Sequence, residues 1–249
     1  MRPIHSSTTE FLTGARDIFP LIVGAVPFGL IFGTLATSNG LSTKATLAMS
    51  AFVFAGSSQF IAAGMAATNA SWLLIALTTF VVNLRHLLYA VSLLPYVKKL
   101  SQKWKIPLAF LLTDEAFAVT IRHYQLEQTD QQTATTQASN KSGLKHWYFL
   151  GAALTMYTNW QLCTLIGVLL GQAIPDATSW GLDFAMSVTF IGMIIPYIKN
   201  KPMLTSVIVA GTASLLTASL PHKLGLMISA IVGITAGVIT EGAISQKKT

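Results

Sequence analysis

Charge and cysteine are both scarce in this sequence. Of 249 residues, 10% are Asp, Glu, Lys or Arg, and one, Cys163, is a cysteine. A soluble domain carries about 25% charged residues, so this chain falls well outside the soluble range. A single cysteine supports neither a disulfide framework nor a thiolate zinc site. The zinc-protease pattern H-E-x-x-H is absent, and with it that route to hydrolysis. No metal and no cofactor are expected. Also missing is the alternation of apolar and polar positions, over about ten residues, that strands of a membrane barrel require. The first apolar block is preceded by Arg2, Glu10, Arg16 and Asp17 and runs into "VPFGLIFG" without a small-residue cleavage site. A cleavable signal peptide is therefore not expected.

What the chain has instead is apolar length. Hydrophobic residues make up 52% of it, mean hydropathy is +0.59, and the apolar residues gather in blocks near 18–37, 45–68, 72–95, 106–121, 147–171, 181–198, 203–220 and 224–241. A helix needs about 20 residues to cross a ~30 Å hydrocarbon core. The pattern predicts an all-α polytopic membrane protein, with seven or eight transmembrane segments in one domain spanning 1–249 and the lipid bilayer as its surroundings. The fourth block is the shortest. One connection, 122–146, is long and polar, and its core "EQTDQQTATTQASNKSG" is too poor in apolar residues to fold alone, which predicts a linker.

The net charge of +7 comes from 16 basic and 9 acidic residues. The basic residues sit in short loops beside the blocks, which points to cytoplasmic retention of those loops and not to nucleic acid. With eight crossings and a cytoplasmic N-terminus, Arg2, Arg16, Lys199, Lys201, Lys247 and Lys248 obey this rule, while Lys98, Lys99, Lys103 and Lys105 oppose it. A segment that enters and leaves by one face would remove the conflict. The best candidate for such a re-entrant or broken helix is the second block, where "FAGSSQF" (54–60) interrupts apolar sequence with helix-weakening residues.

An internal match bears on the same point. Leu94-Pro95-Tyr96 recurs as Ile195-Pro196-Tyr197 after 101 residues, and a shift of 102 carries Gln59 onto Gln161, setting "GSSQ" against "TNWQ". A three-segment period would invert the second unit, and inverted repeats with interrupted helices at matching positions mark transporters whose site lies at the midplane. A break at Gly56 would expose the backbone N–H groups of Ser57 and Ser58 at a positive helix end, able to hold a carboxylate. The alternative is that Gly56, Ser57 and Ser58 only let two helices approach closely.

Ionisable residues lie deep in two blocks: Arg85 and His86 in the third, Asp114 and Glu115 in the fourth. Each such charge costs about 2.5–3.5 kcal/mol at a helix centre on insertion scales, so none is expected to face lipid. Arg85 can pair with Asp114 or with Glu115. Neighbouring helical residues point about 100° apart, so one acid can hold Arg85 while the other faces a hydrated cavity as a proton carrier, with His86 as a relay partner. Asn83, Asn159 and Gln161 are candidates for substrate contact or for bonds between helices, and Tyr157 and Trp160 for a cavity wall. Gly29-xxx-Gly33, Gly167-xxx-Gly171 and Gly233-xxx-Gly237 are close-packing patterns that name no partner on their own.

Taken in order and at these spacings, "PFGLIFG", "FAGSSQF", "NLRHLLYA" and "LTDEAFAV" resemble the AzlC family, the large subunit of bacterial branched-chain amino acid exporters. The resemblance runs over roughly 14–240. It implies a secondary transporter exporting leucine, isoleucine and valine, with methionine as a further candidate, across the inner membrane. It also implies a small hydrophobic AzlD-type subunit as partner. The motifs fall on Gly56, Ser57, Ser58 and Gln59, on Asn83, Arg85 and His86, and on Asp114 and Glu115; the 122–146 linker is longer than the family pattern requires. Proton antiport is the working mechanism.

Rival classes have their own signals. Ser57 or Ser58 with His86 would supply an intramembrane serine dyad, but "AGSSQ" lacks the glycine that follows the serine in rhomboid-like sites. Asp114 with Asp183 lacks the flanking glycine of an intramembrane aspartyl protease. A non-transporting membrane subunit is the remaining alternative, and no enzyme activity is expected.

Overall fold

The computed structural model describes residues 6–133, 144–173, 198–220 and 224–246, together with Ile191 and Ile195. Among the described residues there is no strand, and the regular elements are helices: α1 (Ser7–Asp17), α2 (Phe19–Ser38), α3 (Thr43–Val53), α4 (Gly56–Ala67), α5 (Trp72–Val97), α6 (Gln102–Phe110), α7 (Asp114–Thr133), α8 (Lys145–Ala173), α9 (Lys201–Leu216) and α10 (Leu224–Gln246). Spans within Phe19–Ser38, Trp72–Val97, Lys145–Gly171 and Ile228–Gln246 are each long and apolar enough to cross a membrane. The chain is a multi-pass helical membrane protein.

Short polar residues cap the starts of four helices. Ser6 accepts from the Thr9 N–H, Ser42 from Ala45, Thr113 from Ala116 and Asn200 from Met203, at 2.9–3.2 Å. Each satisfies one N–H that the first turn leaves without an acceptor.

The second and fourth apolar blocks are each broken in two. In the second, the break falls at Phe54-Ala55, just ahead of Gly56: α3 ends at Val53, Phe54 takes a left-handed conformation (φ 43°, ψ 42°), and α4 begins at Gly56. In the fourth, Leu111-Leu112-Thr113 separate α6 from α7, which explains why that block reads as short. The fifth block does not follow the proposed repeat. Helix α8 runs unbroken through Thr158–Gln161, where the repeat predicts an interruption opposite "GSSQ"; Trp160 and Gln161 bond to neighbouring helices and Thr158 to its own helix, which leaves the α8 backbone intact. The sixth block, with its Ile195-Pro196-Tyr197 match, lies largely outside the described residues. The expected linker also changes: α7 continues to Thr133, with His123 and Tyr124 held against the start of α8, so the first part of 122–146 is helical. Residues 134–143 are outside the description.

The chain forms two compact units, residues 1–60 with 82–177, and 61–81 with 178–249. In the first, α8 is the central element and packs against α1, α2, α3, α6 and α7. Glycines set these distances. A Cβ on Gly33 would collide with the Thr164 carbonyl oxygen, and one on Gly167 with that of Leu30. The α2 and α8 backbones therefore touch, and the Thr34 hydroxyl donates across the contact to the Gly167 carbonyl at 2.8 Å. Such approach replaces the hydrophobic drive that lipid cannot provide. In the second unit, α9 and α10 pair along Gly233 and Gly237, which face Ala210 and Ser206. The three close-packing patterns of the sequence thus serve two helix pairs.

At one end of the first unit, α1, α7 and α8 meet in a polar cluster. Tyr148 donates to Asp17 at 2.9 Å, Tyr124 donates to the Lys145 carbonyl at 2.7 Å, and Lys145 pairs with Glu127 at 3.1 Å. Burial disfavours the Glu127 charge, but the neighbouring His123 and the Lys145 ammonium outweigh it and hold this carboxyl below its usual range.

The glycine contact yields a paired test. Gly33→Ala should lower the melting temperature of the purified protein by several degrees, since overpacking costs about 1–3 kcal/mol. On the same helix, Gly24→Ala meets nothing within 4 Å and should leave it unchanged or raise it slightly. Equal shifts in the two variants would refute the close contact.

Candidate functional site

The candidate site is built around the break between α3 and α4. A bulky residue in the left-handed region costs on the order of 1–3 kcal/mol, so the surroundings must hold Phe54 there. They do so from α8. The Phe54 ring is buried edge-on against Tyr157, 4.8 Å between centroids. The end of α3 leaves carbonyls without helical donors; Tyr157 donates to that of Ala51 and Gln161 Nε2 to that of Ser50, both at 3.1 Å. The two side chains are four residues apart and share one α8 face. Beside them, the Ser50 and Thr164 hydroxyls bond at 3.0 Å. The Ser50 and Ala51 carbonyls at the acceptor end of the break are thereby satisfied.

The donor end is not closed in the same way. Gln59 N–H reaches the Ala55 carbonyl, but among the described residues the N–H groups of Gly56, Ser57 and Ser58 have no acceptor within the protein. Trp160 lies over this turn, where a Cβ on Gly56 would approach its ring to 3.0 Å. The Trp160 indole donates to Gln59 Oε1 at 3.1 Å. Gln59 is fully buried, and its Nε2 finds no acceptor among the described residues. Phe60 packs edge-on against Phe28 and Phe32, and Phe32 stacks on Trp160, so an aromatic wall adjoins the polar turn.

The serine side chains lead to the ionisable residues. Ser58 donates to Asn83 Oδ1 at 2.6 Å, and Arg85 Nη2 donates to Ser57 Oγ at 2.7 Å. Arg85 Nη1 pairs with Asp114 Oδ2 at 3.0 Å, while Tyr89 donates to Asp114 Oδ1 at 2.5 Å. Tyr89 is four residues beyond Arg85 on α5 and stacks on Phe117 of α7. The chain Ser57–Arg85–Asp114–Tyr89 therefore ties the α4 start to the α7 start, joining the two broken blocks through α5. Both carboxylates of the Asp114/Glu115 pair lie in the first turn of α7, where the helix dipole favours negative charge.

Of the candidates read from sequence, Gly56, Ser57, Ser58, Gln59, Asn83, Arg85 and Asp114 form this connected set. Among the described residues none of the remaining four bonds to a side chain of that set. Gln161 holds the Ser50 carbonyl, Asn159 Oδ1 faces Cys163 Sγ at 3.6 Å, and His86 Nδ1 donates to the Asn83 carbonyl at 3.2 Å. Among the described residues no cation pairs with Glu115, while Arg85 pairs with Asp114. Tyr89, Tyr157 and Trp160 carry more of the site than their place in the sequence suggests. The i,i+4 spacing from Arg85 to Tyr89 and from Tyr157 to Gln161 is the available signal.

Four helices long and apolar enough to cross a membrane, together with two interrupted apolar blocks and a half-buried ion pair, define a polytopic membrane protein with a polar cluster. The family model described as AzlC protein matches residues 20–174, and the chain belongs to the AzlC family. It is 29% identical over 245 residues to inner membrane protein YgaZ of Escherichia coli, covering 96% of this chain and 92% of that one. It is 29% identical over 183 residues to branched-chain amino acid transport protein AzlC of Bacillus subtilis, covering 73% and 66%. An uncharacterized membrane protein of Helicobacter pylori strain J99 is 30% identical over 198 residues, covering 77% and 79%. No solved structure matches.

The ion pair predicts a specific rescue. Arg85→Ala strands the Asp114 carboxylate, at a cost of about 3–5 kcal/mol if fully buried and less for this half-buried pair, and should reduce the amount of protein in the membrane. Adding Asp114→Asn should restore much of that level, whereas adding Glu115→Gln should not. Immunoblots of membrane fractions decide it, and rescue by Glu115→Gln instead would reassign the partner.

Proposed function

We propose that this protein is a secondary transporter that exports branched-chain amino acids, Leu, Ile, Val and as a further candidate Met, across the bacterial inner membrane. It would work by proton antiport, together with a small hydrophobic AzlD-type subunit. One observation carries the reading: the polar groups left unused at the α4 start are all donors. The N–H groups of Ser57 and Ser58, Gln59 Nε2 and Arg85 Nε lack acceptors among the described residues, and buried donors without acceptors are costly. A carboxylate offers only acceptors and is favoured at a positive helix end. The adjoining Phe28, Phe32, Phe60 and Trp160 supply an apolar wall for an aliphatic side chain. Substrate class and membrane are in keeping with the names of the Bacillus and Escherichia relatives. Export, antiport and the partner rest on the family resemblance and on the physical argument.

Coupling falls to Glu115 in this scheme. Asp114 is occupied by Arg85 and Tyr89, whereas Glu115 has no cation partner among the described residues and can take up or release a proton beside the site. The substrate ammonium would compete with that proton for the same carboxylate, so exchange follows from mutual exclusion. A hydrolase is less well supported: the Ser57 and Ser58 hydroxyls engage Arg85 and Asn83, and His86 engages backbone.

Efflux of labelled leucine from vesicles holding this chain with its small subunit is the test. Gly56→Leu should abolish efflux while the protein still inserts, because the side chain would displace Trp160 and fill the turn. Glu115→Gln should insert, still exchange leucine down its gradient, and lose pH-dependent uphill efflux, since an amide releases no proton. Normal efflux from Gly56→Leu would remove the binding role of the turn. Full uphill efflux with an unchanged pH profile in Glu115→Gln would end the coupling role of that residue.

A further inference from the structure

Outside the candidate site, α1 and α7 bring together Glu10, His123 and Glu127, whose ligand-type atoms all lie within 4.8 Å of one another. His123 Nε2 stands 3.5 Å from Glu127 Oε1 and 3.9 Å from Glu10 Oε2. These gaps are too long for hydrogen bonds, which run at about 2.7–3.2 Å. They come closer to the spacing of about 3.3 Å between neighbouring ligands in a tetrahedral shell with bonds of about 2.0 Å. The His123 Nε2 atom is buried and finds no hydrogen-bond acceptor among the described residues, although two carboxylates face it.

The surroundings orient the three groups as metal ligands are commonly oriented. The His123 ring is stacked on Tyr148 at 3.7 Å, nearly parallel. Glu127 turns Oε2 to Lys145 at 3.1 Å and leaves Oε1 toward His123, so the second oxygen is anchored from outside the shell. His123 and Glu127 are four residues apart on α7 and present one face. The three side chains are only 12–22% exposed, sheltered from bulk water yet reachable. We propose that Glu10, His123 and Glu127 form a divalent metal site that takes Zn2+ and fastens α1 to α7. One imidazole and two carboxylates, without thiolate, suit Zn2+ and leave a fourth position for water. The site has no sequence motif, because Glu10 stands more than a hundred residues from its partners. A bound ion would set the position of the helix that precedes the first span, well along α7 from Asp114.

The test uses the full chain in detergent micelles, stripped with chelator, dialysed and titrated with Zn2+ alone. Calorimetry should find one Zn2+ per chain at micromolar affinity or tighter, and X-ray absorption should give a nitrogen and oxygen shell near 2.0 Å without sulfur. Saturating Zn2+ should raise the melting temperature of the unmodified protein. His123→Ala and Glu10→Gln should each weaken binding at least tenfold, whereas His146→Ala should not. Because the unmodified protein supplies stoichiometry and spectrum, a variant that fails to fold leaves the question decidable. Uptake only at millimolar Zn2+, sulfur in the shell, or equal affinity in His123→Ala would overturn the proposal.

Discussion

Everything at the centre of this protein depends on one constraint: backbone groups inside a membrane must find partners within the protein. A helix broken at Phe54 frees carbonyls on one side and N–H groups on the other. On the carbonyl side, Tyr157 and Gln161 of α8 take up Ala51 and Ser50. The N–H side is left to Ser57, Ser58 and their neighbours. The break is more than a kink, because among the described residues no acceptor meets the N–H groups of Gly56, Ser57 and Ser58. The left-handed Phe54 is tolerated because an uninterrupted helix stands behind it, and α8 in turn is fixed against α2 by glycines that bring the two backbones into contact.

The second break extends the same logic. Thr113 caps α7, and Asp114 and Glu115 occupy its first turn, so the positive end of α7 is neutralised by its own side chains. Arg85 then connects this filled helix end to the open one by bonding both Asp114 and Ser57. The bonded route between the two helix starts therefore runs from Asp114 through Arg85 to Ser57, with Glu115 beside it in the first turn of α7.

Much of this was legible in the sequence, for physical reasons. Gly, two Ser and Gln within an apolar block mark helix weakness in lipid, and of the four ionisable residues in two blocks, Arg85 is expected to pair with one of the two acids, as it does with Asp114. The break itself lies at Phe54, just ahead of Gly56, because its position is set by α8 side chains more than a hundred residues away and not by local propensity. The match of "TNWQ" to "GSSQ" has another meaning: Trp160 and Gln161 attend the break in α3–α4 and are not a break themselves. The choice between Asp114 and Glu115 as the Arg85 partner could not be made from adjacent positions on one helix. The helical start of 122–146 was hidden by polar composition, since Tyr124 and His123 bury against α8 while their neighbours stay polar.

The central claim is that the donor-lined turn recognises a carboxylate. The most direct measurement is binding of three related compounds to the purified protein, with and without the proposed small subunit, by calorimetry: leucine, leucinol, which lacks the carboxylate, and 4-methylpentanoate, which lacks the amine. The account predicts that leucine binds, that 4-methylpentanoate retains part of that affinity, and that leucinol loses at least about tenfold, the ~1.4 kcal/mol expected for losing a charge-assisted hydrogen bond. Leucinol binding as tightly as leucine would contradict it.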